Sequence, residues 1–386
     1  MSPKAGCRTI YKGISENPPP LFCKFTLMRR SLLKWLPLLV ASFGLYACDH
    51  STSQVTDEQI EYENSMKDAV PDGYLFYRDE NTGHLKYIAF DGAITDSDFN
   101  ILDSESVDLD LGLDCYHPEV SPDGKWVAFS TSHENSGAQS DLYVKRIGSP
   151  YPPQKLNAMS AAIPRWRVLP NGDTVIVYVD DTTVLPSKGM ESDSEIQMRL
   201  KAWKETGTWM VPFMGGVFGK SQKIADGAFN GGVTVDLDFM VTSSALLMGR
   251  HVVYNRDGSV ERTSDTVWYD YEQTCNASLL NDGSKRTLFL DMSGKQGLAF
   301  AGESFRPHQR ILVVDSLGSV VAAVPSPVGT AYDHTEWVGY QDYAVASLQD
   351  ANLLHTKIVL VNMKDSSVTD LVSGGELWHP NLWIKK

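Results

Sequence analysis

The sequence predicts an all-β fold: a six-bladed β-propeller closed by pairing of its N-terminal and C-terminal strands in one blade. Three observations carry that expectation. Short strand-like runs, separated by Gly, Asn, Asp and Pro turns, fill the chain from about residue 71 onward. A turn-then-strand unit recurs at roughly 40 to 50 residues, the span of a four-stranded blade. The last unit, His379-Pro-Asn-Leu-Trp383, opens without room to finish, and strand-like runs at 74–77 and 85–90 stand near the other end to complete it.

The elements follow in chain order. Residues 1–27 show no basic-then-apolar order and include Pro18-Pro-Pro20, so they read as an extension upstream of a true start at Met28. Residues 28–47 read as a signal peptide, with Met28-Arg-Arg30 and Lys34 as the basic region and 32–40 as the apolar one. Its apolar run is shorter than the ~20 residues that span a bilayer. Leu45-Tyr-Ala-Cys48 then resembles a bacterial lipobox, which implies lipidation of Cys48. Stable anchoring takes more than one acyl chain, because one chain alone binds a membrane marginally. Residues 48–70 are polar and read as a tether, and 71–386 as the propeller.

Within the propeller the clearest unit is His117-Pro-Glu-Val-Ser-Pro-Asp-Gly-Lys-Trp-Val-Ala-Phe-Ser130. Its Ser121-Pro-Asp-Gly124 is a tight turn, with Pro preset for the first central position and Gly free to take positive φ. A second copy is Arg165-Trp-Arg-Val-Leu-Pro-Asn-Gly172, and a third turn is Leu280-Asn-Asp-Gly283. Weaker copies lie at 233–242, where Asp236-Leu237 takes the turn, and at 334–347. Units therefore begin near 117, 165, 230, 276, 334 and 379, with a seventh only if the connection 183–232 hides a strand pair. In that connection Ile196, Leu200 and Trp203 have helical spacing, and a helix packed on the propeller is expected.

The Ser-Pro-Asp-Gly turn before a Val-Ala-Phe strand resembles the repeat of TolB-type propellers, which implies fold and leaves function open. Further stretches are Ile163-Pro-Arg-Trp-Arg-Val168, Asn171-Gly-Asp-Thr-Val-Ile-Val-Tyr178, Thr208-Trp-Met-Val-Pro-Phe213, Lys285-Arg-Thr-Leu-Phe-Leu-Asp291, His355-Thr-Lys-Ile-Val-Leu-Val-Asn362 and Glu376-Leu-Trp-His-Pro380. These resemble a paralogous family of Fibrobacter lipoproteins over roughly residues 72–386. That family has no established activity, so the resemblance implies fold and location alone.

Composition narrows the function. A net charge of −14 and a pI near 5.1 argue against a nucleic-acid partner, which a basic face would have to attract. The mature chain would keep Cys48, Cys115 and Cys275. Cys115 and Cys275 fall at equivalent places three units apart, too far around the ring for an easy disulfide, and read as small buried hydrophobes.

Counting back from each turn places His117, Arg165, Asn230 and Asn276 where inner strands enter the central channel, with His334 and His379 completing the ring. Such donors could hold an anionic or sugar ligand, or else bond neighbouring blades. Trp166 and Trp378, with Trp337 and Trp383, could stack on sugar rings at a mouth or wedge between blades. The ring histidines are spread too widely for a metal, and the acidic stretch 96–114 lacks a calcium-loop pattern, so no metal or cofactor is expected. No Gly-x-Ser-x-Gly elbow or convincing Ser-x-x-Lys motif is found.

The expectation is a lipid-anchored, non-catalytic propeller at the cell envelope, on the outer membrane and facing periplasm or surface, that binds an envelope protein or polysaccharide. The alternatives are a glycan lyase or hydrolase using the channel, and a structural part of an envelope assembly. The enzyme reading requires an acidic partner that converges on His117, His334 or His379.

Overall fold

A propeller blade is covered on both faces by its neighbours, so its middle strands should read as unbroken apolar runs. Trp126–Phe129, Leu288–Leu290 and Ile311–Val314 do so, within strands that are buried at every residue. The structure, a computed structural model, describes residues 55–66, 70–132, 139–180, 193–244, 246–339 and 342–386. The upstream extension, the signal-like segment and Cys48 lie outside the described residues.

Six antiparallel sheets form the six blades. From inner to outer strand, blade one is Tyr116–Val120, Trp126–Ser130, Leu142–Arg146 and Gln154–Lys155. Blade two is Ala162–Val168, Thr174–Val179 and Gly207–Met214, with Val217–Phe218 and Gln222–Asp226 sharing its outer edge. Blade three is Gly232–Val233, Phe239–Thr242, Met248–Tyr254 and Val260–Val267. Blade four is Thr274–Leu279, Thr287–Asp291, Arg310–Val314 and Val320–Pro325. Blade five is Ala331–Trp337, Tyr343–Gln349, His355–Asn362 and Val368–Ser373.

Blade six joins the chain's two ends. Its inner strand, Leu377–Ile384, pairs antiparallel with Gly73–Asp79, which continues to His84–Phe90 and Val107–Leu109. Leu75 lies opposite Leu382 and Gly73 opposite Ile384. Among the described residues, the long connection over 183–232 forms no seventh blade; it carries the outer strands of blade two.

Core packing repeats with the architecture. Among the described residues the buried side chains fall into six clusters, each spanning one interface between neighbouring blades. Phe76 and Leu85 of blade six, for example, meet Val127 and Phe129 of blade one.

Among the described residues three α-helices decorate the ring, the shortest being Lys295–Ala301 between blade four's second and third strands. Helix α1, Asp57–Ser65, lies within the expected tether; Thr56 caps it by accepting a hydrogen bond from Gln59 N (3.1 Å). Its buried face is polar. Gln59 Nε2 and Ser149 Oγ both donate to Glu63 Oε1, at 3.0 and 3.1 Å, and Tyr62 meets Tyr151 edge-on. A stripe of that kind carries no apolar periodicity, which is why the helix was not legible in the sequence. Helix α2, Asp193–Lys204, is the predicted one; Trp203 is buried against Phe229 and donates its indole N–H to Ala228 O (3.1 Å). No helix among the described residues is long and apolar enough to cross a membrane.

Candidate functional site

The inner strands share one local irregularity. In blades one, two, four and five their pairing with the second strand slips at Tyr116/Glu119, Ala162/Arg165, Cys275/Ser278 and Asp333/Glu336, and blade six slips opposite Phe76/Arg78. At each slip one non-glycine residue takes positive φ: His117, Ile163, Asn276, His334 and His379, between 45° and 52°. Left-handed backbone costs such residues of order 1–3 kcal/mol each, and such strain gathers at functional sites. A bulge re-aims a side chain. Here it turns one residue from each of these five blades toward the pocket they line.

These residues, with Asn230, Asn276 and Arg165, line a small entry pocket of about 40 Å³. His117, Asn230, Asn276, His334 and His379 are all among its lining residues. Arg165 reaches the same pocket from two residues further along its strand, because the equivalent position in blade two is Ile163. Beyond the Arg165–Glu336 pair, Glu119, Arg165, Ser278, Glu336 and Asn381 are among the residues lining a second chamber, of about 280 Å³, which reaches Gly339 and the terminal Lys385 and Lys386. Arg165 divides the two spaces. Its guanidinium donates to both oxygens of Glu336 across the channel, at 2.6 Å each.

The chamber holds a second carboxylate, Glu119, whose Oε2 accepts from Trp166 N at 2.6 Å and whose Oε1 lies 3.6 Å from Arg167 Nη1. Burial pushes its carboxyl up to about 7, against the pull of Arg167 and Arg165.

Titratable groups concentrate on the blade-five side of the entry pocket. His117 and His379 touch through their Nδ1 atoms, 3.1 Å apart, so one nitrogen donates to the other. The His379 ring lies 4.0 Å from that of His334, which lies 5.8 Å from that of His355. His355, buried at the start of blade five's third strand, stands between two carboxylates. Its Nδ1 is 3.2 Å from Glu376 Oε2, and its Nε2 is 3.1 Å from Asp333 Oδ2. His334 Nε2 is 3.9 Å from the same Asp333 oxygen.

Partners fix the carboxylates in turn. Asp333 Oδ1 accepts from Asn276 Nδ2 (3.0 Å) and from His334 N (2.9 Å), and Glu376 Oε2 accepts from Trp378 Nε1 (2.9 Å). Burial opposes ionisation of Asp333, but His334 and the His355 hydrogen bond outweigh it and hold the carboxyl far below the usual range. Burial likewise opposes protonation of His355, and the Asp333 and Glu376 carboxylates overcome it and raise its pKa.

The tryptophans divide between roles. Trp166 is a wedge between blades, 4% exposed, packed on Phe213 and donating its indole N–H to Glu119 O (3.0 Å). Trp378 covers the cluster, its ring 4.6 Å from His355 and 4.8 Å from His334. Among the described residues Cys115 and Cys275 form no disulfide with each other. Burial pushes the Cys115 thiol up to about 12, and Cys275 Sγ lies 3.3 Å from His308 Nε2. Part of the acidic stretch forms ion pairs, with Asp108 on His84 and Asp114 on Arg78.

Counting along inner strands could not find Asp333, His355 and Glu376. Asp333 and Glu376 precede bulge positions in sequence, whereas His355 comes from a different strand altogether. The Asp333-His334 dipeptide and the Glu376-Leu-Trp-His379 run, each ending on a ring histidine, were the available signals.

No protein family matches the chain, and no curated protein matches it by sequence. Solved structures share the fold at low identity. The tricorn protease aligns with 78% of this chain and 26% of its own at 11% identity and a TM-score of 0.45. A puromycin-hydrolyzing peptidase of Mycobacterium tuberculosis aligns with 78% of this chain and 44% of its own, at 14% identity and a TM-score of 0.41. Hydrazine synthase of Kuenenia stuttgartiensis aligns with 85% and 49%, at 12% identity and a TM-score of 0.46. The chain spans less than half the length of each, and the likeness is one of fold alone.

The expectation of a non-catalytic binder is corrected here. The sequence made an enzyme conditional on an acidic partner converging on His117, His334 or His379; Asp333 stands beside one of these, its Oδ2 3.9 Å from His334 Nε2, and it also holds His355, a histidine the sequence reading did not name.

Proposed function

We propose that the protein is a hydrolase whose reaction centre is the entry pocket of the propeller channel, acting on an envelope polysaccharide or peptide from a lipid anchor at Cys48. One observation carries the reading: the Glu376–His355–Asp333 line, fixed at 3.2 and 3.1 Å and continued by His334 into the pocket. An imidazole locked between carboxylates is oriented for one task, and such locking is what separates a reaction centre from a solvated polar patch. The cluster activates water. The His117–His379 pair shares one hydrogen bond between two basic nitrogens, so it can take a proton from that water and return it to the leaving group. Asn230, Asn276 and Arg165 supply donors around the same space for a polar substrate.

The test is turnover of the purified full chain on a panel of chromogenic glycosides, esters, phosphomonoesters and peptide anilides. Cleavage of one class, reduced at least about 100-fold by His379→Ala with the melting curve unchanged, supports the reading. Silence across all four classes counts against it.

A further inference from the structure

We propose that Asp333, His334 and His355 hold a divalent transition-metal ion of the zinc class. The inference deepens the hydrolase reading by naming what activates the water, and it can be tested without turnover.

Geometry is the first argument. One ligand atom from each of the three residues lies within 4.8 Å of the others. Bonds of about 2.0 to 2.2 Å in a tetrahedral site place ligand atoms roughly 3.3 to 3.6 Å apart. The observed separations of 3.1 Å from Asp333 Oδ2 to His355 Nε2 and 3.9 Å to His334 Nε2 stand on either side of that range. The third separation, between the two imidazole nitrogens, lies within 4.8 Å, so closing the site takes a swing of the His334 ring toward His355.

The surroundings are the second argument. A metal-bound histidine usually donates its other ring N–H to a carboxylate or carbonyl, which fixes the tautomer and raises the basicity of the ligating nitrogen. His355 has that arrangement, with Nδ1 on Glu376 Oε2, and Trp378 holds the same oxygen in place. Asp333 is treated likewise. Asn276 and the His334 N–H occupy Oδ1 and leave Oδ2 as the oxygen that faces both imidazoles. With Nδ1 donating to Glu376, the His355 Nε2 lone pair faces Asp333 Oδ2 at 3.1 Å and the Gln349 amide nitrogen at 3.2 Å, so the ion takes the place that the Gln349 N–H or a second ring proton otherwise fills.

Donor chemistry identifies the class of ion. Two imidazole nitrogens and one carboxylate oxygen suit zinc and its first-row neighbours, whereas calcium and magnesium favour all-oxygen shells. Three protein ligands leave a fourth position for water, the arrangement of catalytic rather than structural zinc. Bound there, water gives a proton to the His117–His379 pair; the hydroxide adds to the substrate's electrophilic centre, the scissile bond breaks, and the proton passes to the leaving group.

The experiment uses the full chain, stripped with a chelator and dialysed against zinc chloride. Zinc per chain is measured by elemental analysis and affinity by calorimetric titration. The expected result is one zinc per chain, with affinity reduced at least about 100-fold in Asp333→Asn and in His334→Ala and roughly 10- to 100-fold in Glu376→Gln. His379→Ala, beside the site but outside the ligand set, should keep the zinc and serves as the reference if a ligand variant folds poorly. No zinc bound at equimolar metal, meaning that a proton fills the gap at His355, overturns the proposal. So does equal loss in His379→Ala and His334→Ala. Zinc bound without turnover on the panel retires the hydrolase reading and leaves the metal site. Turnover that survives chelation retires the metal and leaves the hydrolase.

Discussion

Glu119→Gln should change how stability depends on pH, by an amount the chamber itself fixes. The Glu119 side chain is 17% exposed, and burial pushes its carboxyl from the model-peptide value of 4.5 up to about 7. A carboxyl with a raised folded pKa binds more protons folded than unfolded between those two values, so stability falls as pH rises through the window. Below about pH 4.5 the group is neutral in both states and its contribution is complete; above about 7 it is lost. A shift of this size corresponds to about 3 kcal/mol.

Glutamine keeps an oxygen to accept from Trp166 N and removes the titration. Urea unfolding of both proteins between pH 4 and 9 should show the variant gaining about 3 kcal/mol on the wild type from the acid to the alkaline end. A constant difference across that window would refute the claim that burial of Glu119 outweighs the pull of Arg167, Arg165 and the Trp166 N–H.

Two further perturbations address the channel and the closure. Arg165→Met strands the Glu336 carboxylate and should cost about 3–5 kcal/mol in urea unfolding, most of it recovered in Arg165→Met/Glu336→Leu; a double variant as weak as the single contradicts the pairing. Leu75→Ala and Leu382→Ala should each cost about 2–5 kcal/mol. Because the two residues are cross-strand partners in blade six, their effects should deviate from additivity by at least about 0.5 kcal/mol, and strict additivity would deny the contact.

The architecture was legible because a propeller repeats its local chemistry. Ser121-Pro-Asp-Gly124 and its copies mark the turn between inner and second strand, and the unfinished run at His379 pointed to closure by the strands now seen at Gly73–Asp79 and His84–Phe90. Turn counting reached the inner-strand residues of the mouth for the same reason. It misplaced the ring position in blade two, because Ala162–Val168 enters the channel two residues earlier relative to Gly172 than the other inner strands do to their turns. Asp333, His355 and Glu376 escaped because their meeting depends on how blade five's third strand lies beside two bulges, which no repeat pattern encodes. Helix α1 escaped for a different reason: its docking face is Gln59 and Glu63, not an apolar stripe.

The most direct measurement is the turnover of Asp333→Asn against wild type, on whichever substrate class the wild type cleaves, with zinc content and melting temperature recorded on the same samples. The account predicts a folded protein that has lost at least about 100-fold in rate together with its metal. A folded Asp333→Asn protein that turns over at the wild-type rate would move the chemistry away from this cluster and contradict the account.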